Sequence, residues 1–310
     1  MMASLTKSVA EELAIPVDPR IAVFAADIAA RYPDGAAQAV IFYGSCLRSE
    51  KLEGEMLDFY LIVSDYRAAY GDSWMVRANE MIPPNVFPAQ HDGLAAKYAV
   101  LSEHDFHRLN RVEADTVSVW ARFSQPTRLI WSRDEAAADR AAEAIAGAAP
   151  TLLTGALAHM EGDECDALEL WERGYALTYG AELRAERSNR SQSVVDFDPD
   201  RYRRFTRAAL ADARIQAELD GDSVRLLPGQ EATIAAEQKR WPALRRRGKW
   251  MTLARLAKAS ATYAGGIDYL AWKINRHAGT EIAIKPWQRK WPILGALVLL
   301  PRLIAGGAIK

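Results

Sequence analysis

Two apolar runs joined by a short polar connection set the tightest limit on what this chain can fold into. Ala39-Val-Ile-Phe-Tyr43 and Met56-Leu-Asp-Phe-Tyr-Leu-Ile-Val63 are short and almost continuously apolar. Runs of that length and character fit strands buried on both faces of a sheet. Gly44-Ser45 ends the first run, and a polar, charged connection follows from Arg48 to Glu55. The second run carries a single carboxylate, Asp58, with twelve residues between it and Ser45. A charge set between Leu57 and Phe59 is costly unless a metal, a base or several N–H donors compensate it.

The remainder of the chain surrounds this pair. Residues 95–101 and 127–131 read as further strands. Asp18-Pro19 reads as a cap and first turn of an amphipathic helix over 19–31, with Ile21, Phe24 and Ile28 on one face. Ser132-Arg-Asp-Glu135 fits a capping box. It opens an alanine-rich, largely helical stretch reaching to about Arg187, interrupted near Pro150 and Gly162. Asp200 is expected to cap a helix beginning near Arg201, 219–230 reads as a connection, and Trp250 to His277 as a long helix broken near Gly265-Gly266. Strands first and helices later predict an α/β (α+β) fold. The expected division is a catalytic domain over 1–135, a mostly helical domain over 136–238 and a basic helical region over 239–310.

Charge is distributed unevenly over that division. The 310 residues carry a formal net charge of −1, yet residues 239–310 hold 15 lysines and arginines against Asp268 and Glu281 alone. Five of the nine tryptophans fall in the same segment: Trp241, Trp250, Trp272, Trp287 and Trp291. A basic, aromatic segment calls for a polyanionic partner, an anionic membrane or nucleic acid. The apolar stretch Ile293-Leu-Gly-Ala-Leu-Val-Leu-Leu300 favours lipid, with nucleic acid the lesser alternative and packing or dimerisation a third. At eight residues it is far short of the roughly 20 that a spanning helix needs, so the expectation is interfacial docking. Two cysteines, Cys46 and Cys165, are too few for a disulfide framework and point to a reducing compartment. Met1 to Pro19 shows no apolar run behind a basic start, so no signal peptide is expected.

The chemistry of the strand–turn–strand unit follows from its residue types. A glycine after a strand lets a phosphate approach the backbone closely, and the Ser45 hydroxyl can bond phosphate oxygens. A carboxylate on the next strand can hold Mg²⁺ against the same phosphates, so Asp58 is the candidate metal ligand. The competing reading is a plain turn beside a strand-end cap. The pattern resembles the polymerase-β-like nucleotidyltransferase superfamily, except that Tyr60 stands where a second acid is usual.

A narrower resemblance covers residues 38–210. Tyr43-Gly44-Ser45, Met56-Leu57-Asp58-Phe59, Trp74 and Asn79 look like the opening blocks of the mitochondrial-type phosphatidate cytidylyltransferases. Ala96-Lys97-Tyr98-Ala99-Val100, Arg122 to Pro126, and Leu177-Thr-Tyr-Gly-Ala-Glu-Leu-Arg184 look like later blocks of the same family, in the same order. Met75, Gln125 and Ala181-Glu182 depart from its pattern. The resemblance implies a transfer of CMP from CTP to phosphatidic acid with release of pyrophosphate, at the cytoplasmic face of a membrane. It also implies an apolar residue at the Tyr60 position. Lys97 is the only base in its strand and a candidate to neutralise a phosphate. Gly44, Ser45, Arg122 and Arg184 are candidates to hold phosphate groups. Glu182 is a candidate metal ligand or base, unless it merely pairs with Arg184. Two alternatives stay open: a nucleotidyltransferase with another acceptor (another lipid phosphate, a sugar phosphate or RNA), and a catalytically degenerate interaction module. His104 with His107, and Asp196 with Asp198 and Asp200, lack the remaining ligands of zinc and calcium sites. Cys46 has no evident base partner and reads as structural.

Overall fold

A computed structural model describes residues 4–49, 51–181, 190–262 and 283–290. Five strands form the main sheet: β1 (Ala37–Tyr43), β2 (Met56–Val63), β3 (Asn85–His91), β4 (Leu94–Ser102) and β5 (Thr127–Ser132). Their order is β3-β4-β2-β1-β5. The β2–β4 pair is parallel and the other three pairs are antiparallel. The chain is thus a mixed α/β protein, as its strand and helix pattern predicts.

The central strands are apolar on both sides because helices cover both faces. Phe42, Phe59 and Leu61 point to one face, under helix Pro19–Ala30, where Phe24 meets Phe59 edge to face at 5.7 Å. Ile41, Tyr60 and Ile62 point to the other face, where Phe106, Trp120 and Phe123 close over them. That second core continues without a break into helices Glu135–Ala146, Ala148–Ala158 and Ala167–Ala181, and on to Trp241 and Leu244. The helical pair Glu135–Ala158 is long and apolar enough to cross a membrane by composition, but 89% of its most apolar window is buried inside the protein. It is core.

Several local expectations change. Asp18 caps helix Pro19–Ala30 as read, accepting from the Arg20 backbone N–H. The cap of helix Glu135–Ala146 is Asp134, which accepts from the Ala137 N–H at 2.8 Å. Ser132 belongs instead to β5, paired with Ala39. Asp198, not Asp200, caps helix Pro199–Ala211; Asp200 sits in its first turn. The capping residue must immediately precede the first helical residue to reach the third N–H, and Asp134 and Asp198 are the residues in that position. β3 was not expected. It is an edge strand, which tolerates Pro88, and it turns into β4 through Asp92-Gly93, both at positive φ. Residues 219–230 are not a plain connection. They hold part of a second sheet, β6 (Glu164–Asp166), β7 (Ala217–Asp220) and β8 (Ser223–Leu226), in the order β6-β8-β7.

The long basic helix runs from Glu231 to Thr262, with Pro242 inside it. It begins well before Trp250 because Trp241 and Leu244 are buried against the helical pair, and tertiary packing carries the helix through the proline. A Cβ on Gly155 would stand 2.8 Å from the Trp241 ring, so glycine is what lets that tryptophan seat. Further along, Arg255 donates to the Pro83 carbonyl at 2.6 Å, and the Lys258 ammonium reaches the carbonyls of Ala78 and Ile82. Burial, reinforced by the Arg255 charge, pulls the Lys258 pKa down to about 7. The break expected at Gly265-Gly266 and the apolar stretch 293–300 lie outside the described residues.

Candidate active site at one end of the main sheet

The register of four strands places the candidate residues in one row. Lys97 of β4 is opposite Asp58 of β2, Asp58 is opposite Tyr43 of β1, and Tyr43 is opposite Thr127 of β5. Residues so aligned on neighbouring strands lie roughly 5 Å apart on one face of the sheet. The Lys97 ammonium stands 3.1 Å from the Asp58 carboxylate; the lysine side chain is 41% exposed and the aspartate 17%. The base that compensates the carboxylate inside its apolar strand is therefore on the neighbouring strand.

Gly44 follows Tyr43 with φ at 95°, where side chains are strained. A Cβ there would also come within 2.9 Å of Asp58 Oδ2 and 3.3 Å of Asp58 Cβ. Both the backbone and the carboxylate behind it demand glycine. Ser45 is exposed and begins the short helix Ser45–Ser49. Cys46 is buried, its thiol donating to the Met56 carbonyl, and burial raises its pKa, with the Asp58 and Glu55 charges adding to the effect. A buried thiol so shifted is a poor nucleophile, in keeping with the structural reading.

Tyr60, at the position where the superfamily pattern has a second acid, is part of the core. It is 3% exposed, and its ring centre lies 5.2 Å from that of Tyr43 and 5.0 Å from that of Phe123. These rings form a wall behind Asp58. Burial raises the Tyr43 phenol well above its usual pKa; the Asp58 charge and the neighbouring Tyr60 phenol add to the effect, and the charge and hydrogen bond of Arg122 oppose it. The phenol therefore stays protonated at neutral pH. Arg122 also donates to the Ser118 carbonyl from the short helix Trp120–Phe123.

Five of the seven candidates thus come together: Gly44, Ser45, Asp58, Lys97 and Arg122. Glu182 and Arg184 lie outside the described residues. Asn79 is fully buried and donates to the Val100 carbonyl, which fastens its helix to the sheet, whereas Trp74 is 55% exposed. Sequence reading missed Arg48, whose guanidinium bonds Gln125 from 77 residues away. Its position three residues after Ser45 was the one available signal.

The chain matches no family model and no curated protein.

Among the described residues no three His, Cys, Asp or Glu side chains gather into a metal-binding group. The donor set at the row is one hard carboxylate beside an open glycine turn. One carboxylate could supply one ligand to a Mg²⁺ ion that kept most of its waters, but it does not make an all-protein cage. A cavity of about 730 Å³ lies elsewhere, between Leu5 and helix Pro199–Ala211. It lacks the aligned carboxylate, base and glycine turn, so size alone does not make it the site.

Proposed function

We propose that this protein is a CTP-dependent cytidylyltransferase that converts phosphatidic acid to CDP-diacylglycerol and releases pyrophosphate. The observation that carries the reading is the Lys97–Asp58–Tyr43 row with Gly44 seated against Asp58. The lipid phosphate oxygen attacks the α-phosphorus of CTP, a new P–O bond forms, and the bond to the bridging oxygen breaks with its electron pair leaving on pyrophosphate. A phosphate monoester has its second pKa near about 6 and is already ionised at neutral pH, so no strong general base is needed. Gly44 lets the phosphate tail approach the backbone, Ser45 offers its hydroxyl, and Lys97 and Arg122 offset charge on the phosphates. Asp58 would hold Mg²⁺, which would supply further charge neutralisation. Positioning and preorganised charge then carry the rate.

The test is pyrophosphate release from CTP and Mg²⁺, with and without phosphatidic acid in mixed micelles. Lipid-dependent release is the expected result. A second reading, a binding module without turnover, is favoured by Tyr60 filling the second acid's place. No release with any of the four nucleotides, from folded protein that still binds CTP, would turn the assignment to that module.

The same proposal places the protein at the inner face of a membrane, docked from the cytoplasm. The inner side of helix Glu231–Thr262 is committed to packing, and Arg247 pairs with Asp115 at 2.5 Å. Its outer side presents Arg246 and Lys249 beside Trp250, which is 69% exposed. Tryptophan with flanking cations suits the headgroup region of an anionic bilayer. Vesicles containing phosphatidylglycerol are expected to co-sediment with the protein. The triple variant Arg246→Ala, Lys249→Ala, Trp250→Ala is expected to lose most of that binding. Equal sedimentation of the variant would remove this face from the docking surface.

A further inference from the structure

The Arg48 guanidinium has no carboxylate within ion-pairing distance among the described residues. It is half-buried, on the short helix that follows the Gly44-Ser45 turn. Its one hydrogen bond runs from Nη1 to the Gln125 side-chain oxygen at 3.3 Å. Gln125 is itself fixed, donating from Nε2 to the Ala121 carbonyl at 2.8 Å. Ala121 belongs to the short helix Trp120–Phe123, which packs on the face of the sheet that carries Tyr60. Arg48 therefore lies on the side of the sheet that carries Asp58, Tyr43 and Arg122.

A guanidinium has five donors and a permanent charge. Half-buried against a neutral amide, Arg48 keeps four further donors for a ligand. A planar, forked donor beside a glycine turn is the arrangement that receives a phosphate in a bidentate way. Other cations of the protein differ. Arg201 has Glu12, Lys97 has Asp58, and Arg247 has Asp115.

We infer that Arg48 is a further substrate-binding residue, that it grips a phosphate group of a bound substrate, and that Gln125 is the positioning residue that aims it. The inference rests on the proposed phosphate chemistry of the Asp58 row and adds a further cation to Lys97 and Arg122, carried on the short helix that follows the glycine turn. The phosphate belongs either to the tail of the nucleotide or to the acceptor. Both are phosphate oxyanions and would meet the same fork.

The experiment is calorimetric titration of the full chain with pyrophosphate, CTP and dihexanoyl phosphatidic acid, a soluble acceptor. Arg48→Ala is expected to weaken at least one of them by about tenfold or more, the usual size for a charge-assisted hydrogen bond. Loss confined to pyrophosphate and CTP assigns Arg48 to the donor. Loss confined to the lipid assigns it to the acceptor. Arg48→Lys keeps the charge without the fork and should recover part of the affinity, which separates lost binding from lost folding. Gln125→Ala should weaken the same ligand less, and adding it to Arg48→Ala should weaken binding no further, because the two act as one unit. If the wild type binds any of the three and Arg48→Ala binds it equally well, Arg48 has no such role and the proposed reaction stands. If the wild type binds none, both readings fall.

Discussion

Asp58→Asn is expected to cut lipid-dependent pyrophosphate release by about 100- to 1,000-fold while leaving the protein folded and its melting temperature almost unchanged. Asparagine keeps the size and one oxygen of the side chain, so the close approach to Gly44 survives. What goes is the negative charge. Its partner Lys97 is 41% exposed and can turn to water, so the lost ion pair is worth no more than about 1 kcal/mol of stability. Catalysis is affected far more. Among the described residues Asp58 is the only acid in the row, and nothing nearby can take its place as a ligand. Removing one preorganised electrostatic group from a site of this kind costs about 100- to 1,000-fold in kcat. Measuring kcat and melting temperature on the same preparation checks both halves. An Asp58→Asn enzyme with full kcat would show that the carboxylate serves only to neutralise Lys97.

This expectation was legible in the sequence because a strand–turn–strand unit forces its ends together. Gly44 and Asp58 had to meet once β1 and β2 paired antiparallel. β1, β2, β4 and β5 were legible for a related reason: burial on both faces leaves continuous apolar runs. β3 hid behind Pro88, Gln90 and His91, which an edge strand accepts. The second sheet hid because β6 is only Glu164-Cys165-Asp166, too short and polar to show a pattern. Tyr60 read as a missing acid, and its ring contacts explain why no acid stands there: the face beside Asp58 is already core.

Contacts between distant segments stayed out of reach. The link from Arg48 to Gln125 depends on how a five-residue helix is rotated after the glycine turn, and no periodicity records that. The basic helix was legible as a helix and as a cationic surface. Which side faces inward was decided by Trp241 entering the space that Gly155 leaves. The result sets two groups of its cations apart. Arg255 and Lys258 hold the helix to the segment 78–83, and Arg246 and Lys249 remain exposed beside Trp250.

The largest stability effect is expected at a buried pair that gave no signal in the sequence. Glu12 of helix Leu5–Leu13 and Arg201 of helix Pro199–Ala211 meet from 189 residues apart, and Arg201 Nη2 donates to Glu12 Oε1 at 3.1 Å. Arg201 is 3% exposed, also donates to the Ser124 carbonyl at 3.0 Å, and stacks over Phe205 at 4.5 Å. Burial opposes its charge, and the Glu12 carboxylate more than offsets that, so its pKa stays above the ordinary arginine value. Glu12→Leu would leave this guanidinium buried without a counter-charge, at a cost of about 3–5 kcal/mol. Arg201→Met would strand the carboxylate and should cost a similar amount. The double variant removes both charges and fills the space with apolar atoms, so it should be more stable than either single variant. That ordering follows because desolvating two ions consumes most of what their attraction returns. Urea unfolding of the four proteins gives the coupling energy directly. Strictly additive losses would mean that the two side chains act independently and that the N-terminal helix is held by Leu5, Val9 and Leu13 alone.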